Sequence, residues 1–332
     1  MTLRIVTGGL QTTVQDLGRA GHQSTGVPVG GAMDQLALRI GNMLVGNEDG
    51  AAALEASLIG PAIAFDQDAL IALTGADLDA SINGTPVAAW HPIFVTRGAT
   101  LRFGQPRIGC HAYVAVAGGV DVPIVFGSRS TYLRAQFGGF EGRALRSGDL
   151  VQVGAASPLS ERIAGSLRES DAVPAVARWS LGGSLRPRYG DDPTARLIAG
   201  AHIGNLSDDA RERFFGATFR VSSSSDRMGY RLDGVELALA APVELLSEAV
   251  VFGTVQLPPG GAPIVLMADR QTTGGYPRIG EVISVDLPLI AQLKPGDRLR
   301  FRLVSLDDAQ GLYLEREQEL AQARFAIALR PF

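Results

Sequence analysis

The chain has 332 residues, of which 46% are hydrophobic and 19% are charged, and its formal net charge is −4. This length predicts two domains or one large bilobed unit, and the composition is typical of a globular protein. The negative charge, together with the lack of any basic cluster with interleaved aromatic residues, argues against nucleic acid as a partner.

The sequence shows no targeting or membrane signal. Residues Met1–Gly9 do not lead from basic residues into an apolar run, so no secretion signal is expected. No run approaches the roughly 18 apolar residues that a membrane span requires. The single cysteine, Cys110, excludes an internal disulfide and is expected to be a buried, inert thiol. The four histidines stand in unrelated contexts, which predicts no metal site. These features predict a cytoplasmic protein without a membrane partner.

Lysine is nearly absent, because Lys294 is the single lysine among 30 basic residues. The surrounding segment, Gln292–Asp297, is typical of a turn. It lacks both the glycine-rich phosphate loop of a nucleotide site and the flanking methionines of a biotinyl site. We therefore expect no Walker loop and no covalently bound biotin in this chain.

In the first half of the chain, short apolar runs between turn residues predict a mainly β structure, in keeping with 41 glycines. The clearest helix begins after an Asp34 N-cap and ends at Gly46–Asn47, because its apolar residues lie on one helical face. Apolar runs at 69–73 and 113–117 predict strands. Asn83–Gly84 predicts a hairpin turn, because this pair tolerates positive φ angles.

In the second half, Ser207 is predicted to cap another helix that ends near Gly216. Residues 155–178 lack a strong periodicity and are predicted to connect two lobes. The resulting division has an N-terminal lobe at 1–154 and a C-terminal lobe at 179–332.

The two halves also share a faint pattern that suggests a duplication. An apolar strand at 113–117 precedes an Arg-x-Thr loop within 127–131, and a strand at 264–267 precedes an Arg-x-Thr loop within 269–273. A double glycine and a Gly-Asp turn follow each loop. The pattern predicts that both loops face one cleft, although chance is a fair alternative in a glycine-rich chain.

Four polar clusters depart from what a β-rich core requires. They are residues 9–19 with 30–34, residues 127–131, residues 224–232, and residues 253–261 with 268–277. In this order, and over nearly the whole chain, they resemble the family whose members are variously called the C subunit of 5-oxoprolinase, KipA, allophanate hydrolase subunit 2 and the carboxyltransferase domain of urea carboxylase. The most specific segments are Ser-x-Asp-Arg-Met-Gly-Tyr-Arg-Leu and Asp-Arg-Gln-Thr-Thr-Gly-Gly-Tyr-Pro.

The resemblance implies a mainly β (α+β) fold of two linked β-rich lobes, the C-terminal one a cyclophilin-like barrel, with the active surface in the cleft between them. It implies an enzyme subunit that processes a small amide or lactam: the C subunit of 5-oxoprolinase, or the carboxyltransferase component of a biotin-dependent urea-type carboxylase. The implied partners are a KipI-like or allophanate hydrolase subunit 1-like protein and a LamB/YcsF-like subunit or a biotin carboxylase. ATP, and in the carboxylase case carboxybiotin, would come through them. The alternative is a KipA-like regulatory protein that sequesters a KipI-like kinase inhibitor.

An amide is neutral and planar, so its site must offer donors to the oxygen and acceptors to the N–H groups. Glycine loops, arginine and polar side chains supply such groups. The candidate catalytic residues are Asp269, Arg270, Thr272, Thr273 and Tyr276. The candidate substrate-binding residues are Gln15, Asp16, Ser128, Arg129, Ser130, Thr131, Arg227, Met228, Gln256, Gln271, Gly274 and Gly275.

Several of these residues also have a structural interpretation. The arginines at 129 and 270 would then bridge loops, and Arg227 would pair locally. Asp16 would cap a turn, and Tyr276 would pack in the core. Apart from Asp16 and Asp269, the clusters offer no good candidate for a general base.

Overall fold

The computed structural model describes residues 1–170, 172, 174–241 and 243–332. Asp171 and Val173, within the predicted connector, and Pro242 lie outside the described residues. The fold is mostly β, as predicted, and the chain packs into two units. The first unit comprises Met1–Arg19, Gly30–Pro187 and Glu319–Phe332, and the second comprises Ala20–Val29 and Arg188–Gln318.

The first unit is built on two six-stranded sheets. Its strands are β1 (Thr2–Thr7), β2 (Gln11–Gln15), β3 (Ala53–Ser57), β4 (Ala62–Phe65), β5 (Ala69–Asp77), β6 (Ser81–Ile82), β7 (Thr85–Pro86), β8 (Pro92–Val95), β9 (Thr100–Arg102), β10 (Ile108–Val116), β11 (Leu150–Gln152) and β12 (Ala175–Val176). One sheet has the order β11-β1-β4-β9-β6-β7, and the other β12-β8-β5-β10-β3-β2.

Apolar side chains from both sheets form one core in this unit. In β1, Leu3 and Ile5 are buried and Arg4 between them is exposed, which is the alternation of a strand with one solvated face. Strands β5 and β10 are buried almost throughout, because helix α1 (Gln35–Leu44) covers the face that points away from the core. The core therefore fixes the position of β2, which carries part of the first polar cluster, and of β10, which contacts that cluster.

Two local predictions for this unit are confirmed. The Asp34 carboxylate accepts a hydrogen bond of 2.9 Å from the Ala37 amide and caps α1. Asn83 and Gly84 have φ angles of 51° and 82° and join β6 to β7 as a hairpin.

The described residues of the segment predicted as a connector include one helix and one strand and lie within the first unit. It contains helix α2 (Pro158–Arg168), which Ser157 caps through the Ser160 amide, and β12, which pairs with β8. A serine followed by proline at the first helical position is a signal for the start of a helix, and it is visible in the order of the residues but not in their composition.

The second unit contains a closed seven-stranded barrel, which confirms the prediction of a C-terminal barrel. The strands of the second unit are β13 (Thr194–Ala199), β14 (Phe219–Val221), β15 (Gly229–Asp233), β16 (Glu248–Ala249), β17 (Thr254–Gln256), β18 (Ile264–Leu266), β19 (Thr273–Gly274), β20 (Arg278–Val282) and β21 (Arg298–Leu303). The barrel order is β13-β20-β17-β18-β15-β14-β21, and β16 and β19 form a separate ribbon.

The remaining helices follow the second unit's strands. Helix α3 (Asp208–Gly216) begins after Ser207, as predicted, and α4 (Leu287–Ala291) and α5 (Leu306–Leu329) were not predicted. Only Leu320 and Ile327 of α5 are buried. The helix therefore has no apolar stripe, and its sequence shows no helical periodicity of apolar residues. None of the helices among the described residues is long and apolar enough to cross a membrane.

Candidate functional site

In the first unit, Asp16 follows β2 and holds the loop at 128–130, which is more than 110 residues further along the chain. Its Oδ1 accepts hydrogen bonds from the Gly18 amide at 2.8 Å, the Ser128 hydroxyl at 2.6 Å and the Ser130 hydroxyl at 2.5 Å. Its Oδ2 accepts a 2.6 Å bond from the Arg129 amide. A buried carboxylate with these donors is fully engaged, which favours the structural interpretation of Asp16.

Gln15 and Thr131 extend this network beneath the loop. Thr131 bonds the Val14 carbonyl through its amide and its hydroxyl, at 2.9 and 3.0 Å. The Gln15 amide group donates to the Thr13 hydroxyl and the Thr131 carbonyl, at 3.0 and 3.2 Å. Gln15 Oε1 is buried and has no hydrogen-bond partner among the described residues. This oxygen is the one acceptor of the described network that the fold itself does not use.

The Arg129 side chain turns toward its own neighbourhood. Its Nε donates to the Val122 carbonyl at 3.1 Å, and Nη2 lies 3.4 Å from Asp121 Oδ1. Such contacts favour a bridging role for this arginine. Arg129 lies in the first unit and Arg270 in the second, so the prediction that their loops face one cleft stays a prediction.

Arg19 belongs to the first cluster but was not predicted as a site residue. It is one of the largest fully buried side chains, donates to the Ser130 carbonyl, and lies over the Phe137 ring at 4.8 Å. A Cβ on Gly138 would lie 2.2 Å from that same carbonyl and 2.9 Å from Arg19 Nη2. Glycine at position 138 is therefore needed for close packing against Ser130.

A second buried network supports the Gly-Gly-Ala-Met-Asp part of the first cluster. Glu55 Oε2 accepts from the Met33 amide at 2.8 Å and from the Tyr113 hydroxyl at 2.7 Å. Burial, reinforced by the Glu55 charge, raises the pKa of Tyr113 well above its ordinary value. The Ala32 amide then bonds the Asp16 carbonyl at 2.9 Å. Glu55 and Tyr113 lie inside ordinary strand patterns, so no sequence signal points to them.

In the second unit, Arg227 and Asp269 tie the third cluster to the fourth. Arg227 Nε and Nη2 lie 2.8 and 3.2 Å from the two oxygens of Asp269, and the Asp269 amide bonds the Arg227 carbonyl at 2.8 Å. The adjacent Met228 carbonyl accepts from the Met267 amide at 2.9 Å. This two-point ion pair engages Asp269 and gives Arg227 a scaffolding position, although its partner is distant in sequence.

Arg270 has a different environment. Its Nε is buried without a hydrogen-bond partner among the described residues, and its Nη1 lies 3.4 and 3.5 Å from the Met267 and Ala268 carbonyls. Burial lowers the pKa of Arg270 to about 10, while the Asp269 and Glu281 charges act in the opposite direction. The side chain is therefore cationic at neutral pH and incompletely hydrogen-bonded.

Gln256 lies in the same region and is similarly unsatisfied. It is 1% exposed, and its Oε1 lies 3.4 Å from Gln271 Nε2. Its Nε2 is buried and has no acceptor among the described residues. A Cβ on Gly274 would lie 2.3 Å from this nitrogen, so only glycine allows the backbone to approach the amide so closely.

Two residues absent from the sequence-based candidates complete this group. The Thr254 hydroxyl donates to Glu281 Oε2 at 2.6 Å, and Arg278 Nη1 lies 3.8 Å from Glu281 Oε1. Burial raises the pKa of Glu281, while the Thr254 hydrogen bond and the Arg278 and Arg270 charges act to lower it. We call this group the barrel polar cluster: Thr254, Gln256, Arg270, Gln271 and Glu281.

The remaining candidates of the fourth cluster lie beyond it. Thr273 and Gly274 form β19, which pairs with β16, and the Thr272 carbonyl accepts from the Val250 amide at 3.2 Å. Tyr276 is 46% exposed, so it does not pack in the core. With Gly275 it lines a cavity of about 810 Å³ bounded by residues 257–261. The sequence motif thus divides between the barrel polar cluster and this cavity.

Sequence comparison relates the chain to 5-oxoprolinase and to urea amidolyase. It is 38% identical to the C subunit of 5-oxoprolinase from Haemophilus influenzae over 314 residues, which cover 95% of each chain. It is 33% identical to urea amidolyase of Lachancea kluyveri, covering 93% of this chain and 17% of that protein. The crystal structure of the Kluyveromyces lactis urea carboxylase matches with a TM-score of 0.87 at 29% identity, over 100% of this chain and 30% of that one.

Residues 25–303 match the family described as carboxyltransferase domain, subdomain A and B. This match and the relatives together confirm the resemblance inferred from the four polar clusters. The chain belongs to the carboxyltransferase domain family, subdomain A and B.

Proposed function

We propose that this chain is the substrate-binding subunit of a multi-subunit enzyme that acts on a small amide or lactam. The observation that carries the proposal is the pair of buried donors, Arg270 Nε and Gln256 Nε2, that have no acceptor among the described residues. An unsatisfied buried donor costs about 1–3 kcal/mol. A ligand oxygen would satisfy these groups.

The names of the relatives support the same class of substrate. One is a subunit of 5-oxoprolinase, and another is a urea amidolyase. 5-Oxoproline is a cyclic amide that also bears a carboxylate, and urea is a diamide. Both present a carbonyl oxygen next to an N–H group, which is the pattern that a donor-rich polar cluster recognises.

Partner subunits are part of the proposal. One relative is named as an enzyme subunit, and urea amidolyase is a much longer chain than this one. Both facts support the proposal that this chain works with other components. We propose a KipI-like or allophanate hydrolase subunit 1-like partner, with a LamB/YcsF-like subunit for lactam cleavage or a biotin carboxylase for carboxyl transfer. ATP would be used through these partners. The relatives give no support to a purely regulatory, KipA-like role.

The type of reaction follows from which partner is present. Carboxybiotin, in the carboxylase case, supplies an activated carboxyl group when bound, and its carboxylate and ureido oxygens fit the unsatisfied donors of Arg270 and Gln256. In lactam cleavage the same donors would bind the lactam oxygen and the substrate carboxylate. In both cases this chain binds and orients the amide.

The experiment compares the purified chain alone with the chain mixed with its partner subunits. Alone, it should show neither ATP hydrolysis nor covalent biotin, because its single lysine, Lys294, pairs with Asp297 at 2.9 Å in a turn. Mixed, it should support turnover of 5-oxoproline or of urea. A single chain that hydrolyses ATP in response to either compound would contradict the proposal, and so would a reconstituted complex that acts on neither.

A further inference from the structure

We propose that Glu281 is the specificity-determining residue of this site: its carboxylate accepts the N–H group of the substrate, while Gln256 and Arg270 donate to the substrate's oxygens. The inference rests on the proposed function and adds the acceptor that the sequence motifs do not contain. It follows from the strand pairing, the hydrogen bonds of Glu281 and its exposure.

Strand pairing places Glu281 beside the strand that carries Gln256, and Gln271 links the neighbouring Arg270 to the same region. Thr254 and Gln256 are two residues apart on β17, so their side chains point to the same face. Thr254 is the register partner of Glu281 on β20, and its hydroxyl reaches the Glu281 carboxylate on that face. Gln271, which follows Arg270, contacts the Gln256 amide. The acceptor and the unsatisfied donors therefore belong to one polar surface of the second unit.

The two oxygens of Glu281 differ in their contacts. Oε2 is engaged by the Thr254 hydroxyl at 2.6 Å. Oε1 lies 3.8 Å from Arg278 Nη1, which is too long for a hydrogen bond, and Arg278 Nη2 bonds Glu248 instead at 2.7 Å. The side chain is 19% exposed. One oxygen of the carboxylate is thus fixed by the fold, and the other is available to a ligand.

This arrangement defines a class of ligand. A group that offers an oxygen to Gln256 and Arg270 and a hydrogen to Glu281 must carry C=O and N–H side by side. Amides, ureas and lactams fit, whereas esters and lactones of the same shape lack the hydrogen and would leave the Glu281 oxygen unpaired. Sites built to bond an N–H group reject analogues without it for this reason.

The test measures binding of a matched pair of probes to the full chain: 5-oxoproline and the lactone in which oxygen replaces its ring nitrogen, with urea as a second amide. Saturation-transfer NMR titrations give the dissociation constants. The wild-type chain should prefer the lactam to the lactone by about tenfold, the factor expected for one hydrogen bond to a charged acceptor.

Two variants separate recognition from structure. Glu281→Leu removes the acceptor and should abolish the preference, whereas Glu281→Gln keeps an oxygen at the same place and should retain part of it. Glu212→Leu, at an exposed position of helix α3 in the same unit, removes a carboxylate elsewhere and should behave as wild type. Thermal unfolding of each variant checks that the folded state is retained.

The outcomes distinguish the inference from the proposed function. A wild-type chain without any preference, or a folded Glu281→Leu variant with the wild-type preference, would overturn the role of Glu281 and leave the amide site in place. A wild-type chain that binds neither 5-oxoproline nor urea would contradict the proposed function, and the inference would fail with it.

Discussion

The two polar regions of this protein differ in how completely their hydrogen bonds are satisfied. In the first unit, Asp16 accepts from two hydroxyls and two amides, and so fixes the loop at 128–130. In the second, the barrel polar cluster keeps buried donors on Arg270 and Gln256 that no described residue satisfies. Both regions contain predicted site residues, and the barrel polar cluster has buried donors left for a ligand oxygen.

The difference shows how residues that stabilise the fold can be distinguished from residues that bind a ligand, even when both belong to the same sequence motifs. A carboxylate whose lone pairs are all used stabilises the fold and has little left to offer a substrate. A buried cation without a salt bridge is a cost to folding that is retained where binding gains from it. Mutations should therefore act mainly on stability in the first region and mainly on activity in the second.

The largest effect is expected for Asp16→Ala, which leaves the Ser128 and Ser130 hydroxyls and the Arg129 amide without their acceptor. The free energy of unfolding should fall by about 3–5 kcal/mol, as for other buried networks that lose a charged partner. Urea denaturation measures it. Asp121→Ala is the matched control, because this exposed carboxylate makes only a 3.4 Å contact with Arg129 and should change stability by less than about 0.5 kcal/mol. Equal losses in the two variants would remove the distinction.

Arg270→Lys should have the opposite effect, with a large loss of activity and little loss of stability. Lysine keeps the charge but loses the forked donor, so turnover by the reconstituted enzyme should fall about tenfold or more, while the melting temperature changes little. Arg143→Lys is the control, since Arg143 holds Asp149 at 2.7 and 2.9 Å and should lose stability without losing activity. If Arg270→Lys melts several degrees lower and keeps its activity, Arg270 is a scaffold residue.

Asp149→Asn tests a satisfied carboxylate through pH. Arg143 holds the pKa of Asp149 below its ordinary value of 3.8. A lowered pKa means that the ionised form stabilises the fold above pH 3.8, and that this stability is lost as the pH falls through the lower, folded-state value. The variant should be less stable than wild type by about 1 kcal/mol at neutral pH. Chemical denaturation across pH should show the two curves converging in acid; a constant gap would contradict the assignment.

Glu281→Gln should show the smallest effect, with the opposite sign. Burial raises the pKa of Glu281 above its ordinary value of 4.5, so its stabilising contribution is complete below pH 4.5 and is lost as the pH rises through the folded-state value. At neutral pH the neutral glutamine should therefore be slightly more stable, by less than about 1 kcal/mol. The advantage should vanish in acid. A variant that is less stable at neutral pH would show that the ionised carboxylate is a structural partner.

Local chemistry made part of the fold predictable from the sequence. The Asp34 cap and the Asn83–Gly84 turn depend on neighbouring residues, and both form as predicted. Helix α5 was not predicted because almost none of its residues are buried, so its sequence has no periodic pattern of apolar residues. Only the helix propensity of its residues indicates a helix. Helix α2 and β12 within the predicted connector were not predicted, because the pairing of β12 with β8 depends on tertiary contacts.

The site shows the same limit. Motifs identified Arg270 and Gln256, whose residue types suit an amide. They did not single out Arg19, Glu55 or Glu281 as candidates, because burial and partners far away in the sequence distinguish these residues. A charged residue in an alternating strand looks solvent-exposed until the strand next to it is known.

The most direct test of the central claim observes the Arg270 side chain itself. In a ¹⁵N-labelled full chain, the Nε–H signal of Arg270 is assigned as the one that disappears in Arg270→Lys. Saturable titration with 5-oxoproline or urea should shift this signal and leave the Arg143 signal, whose guanidinium is already paired with Asp149, in place. A chain that binds either amide while the Arg270 signal stays unmoved would show that the unsatisfied donors of the barrel polar cluster are not where the substrate binds.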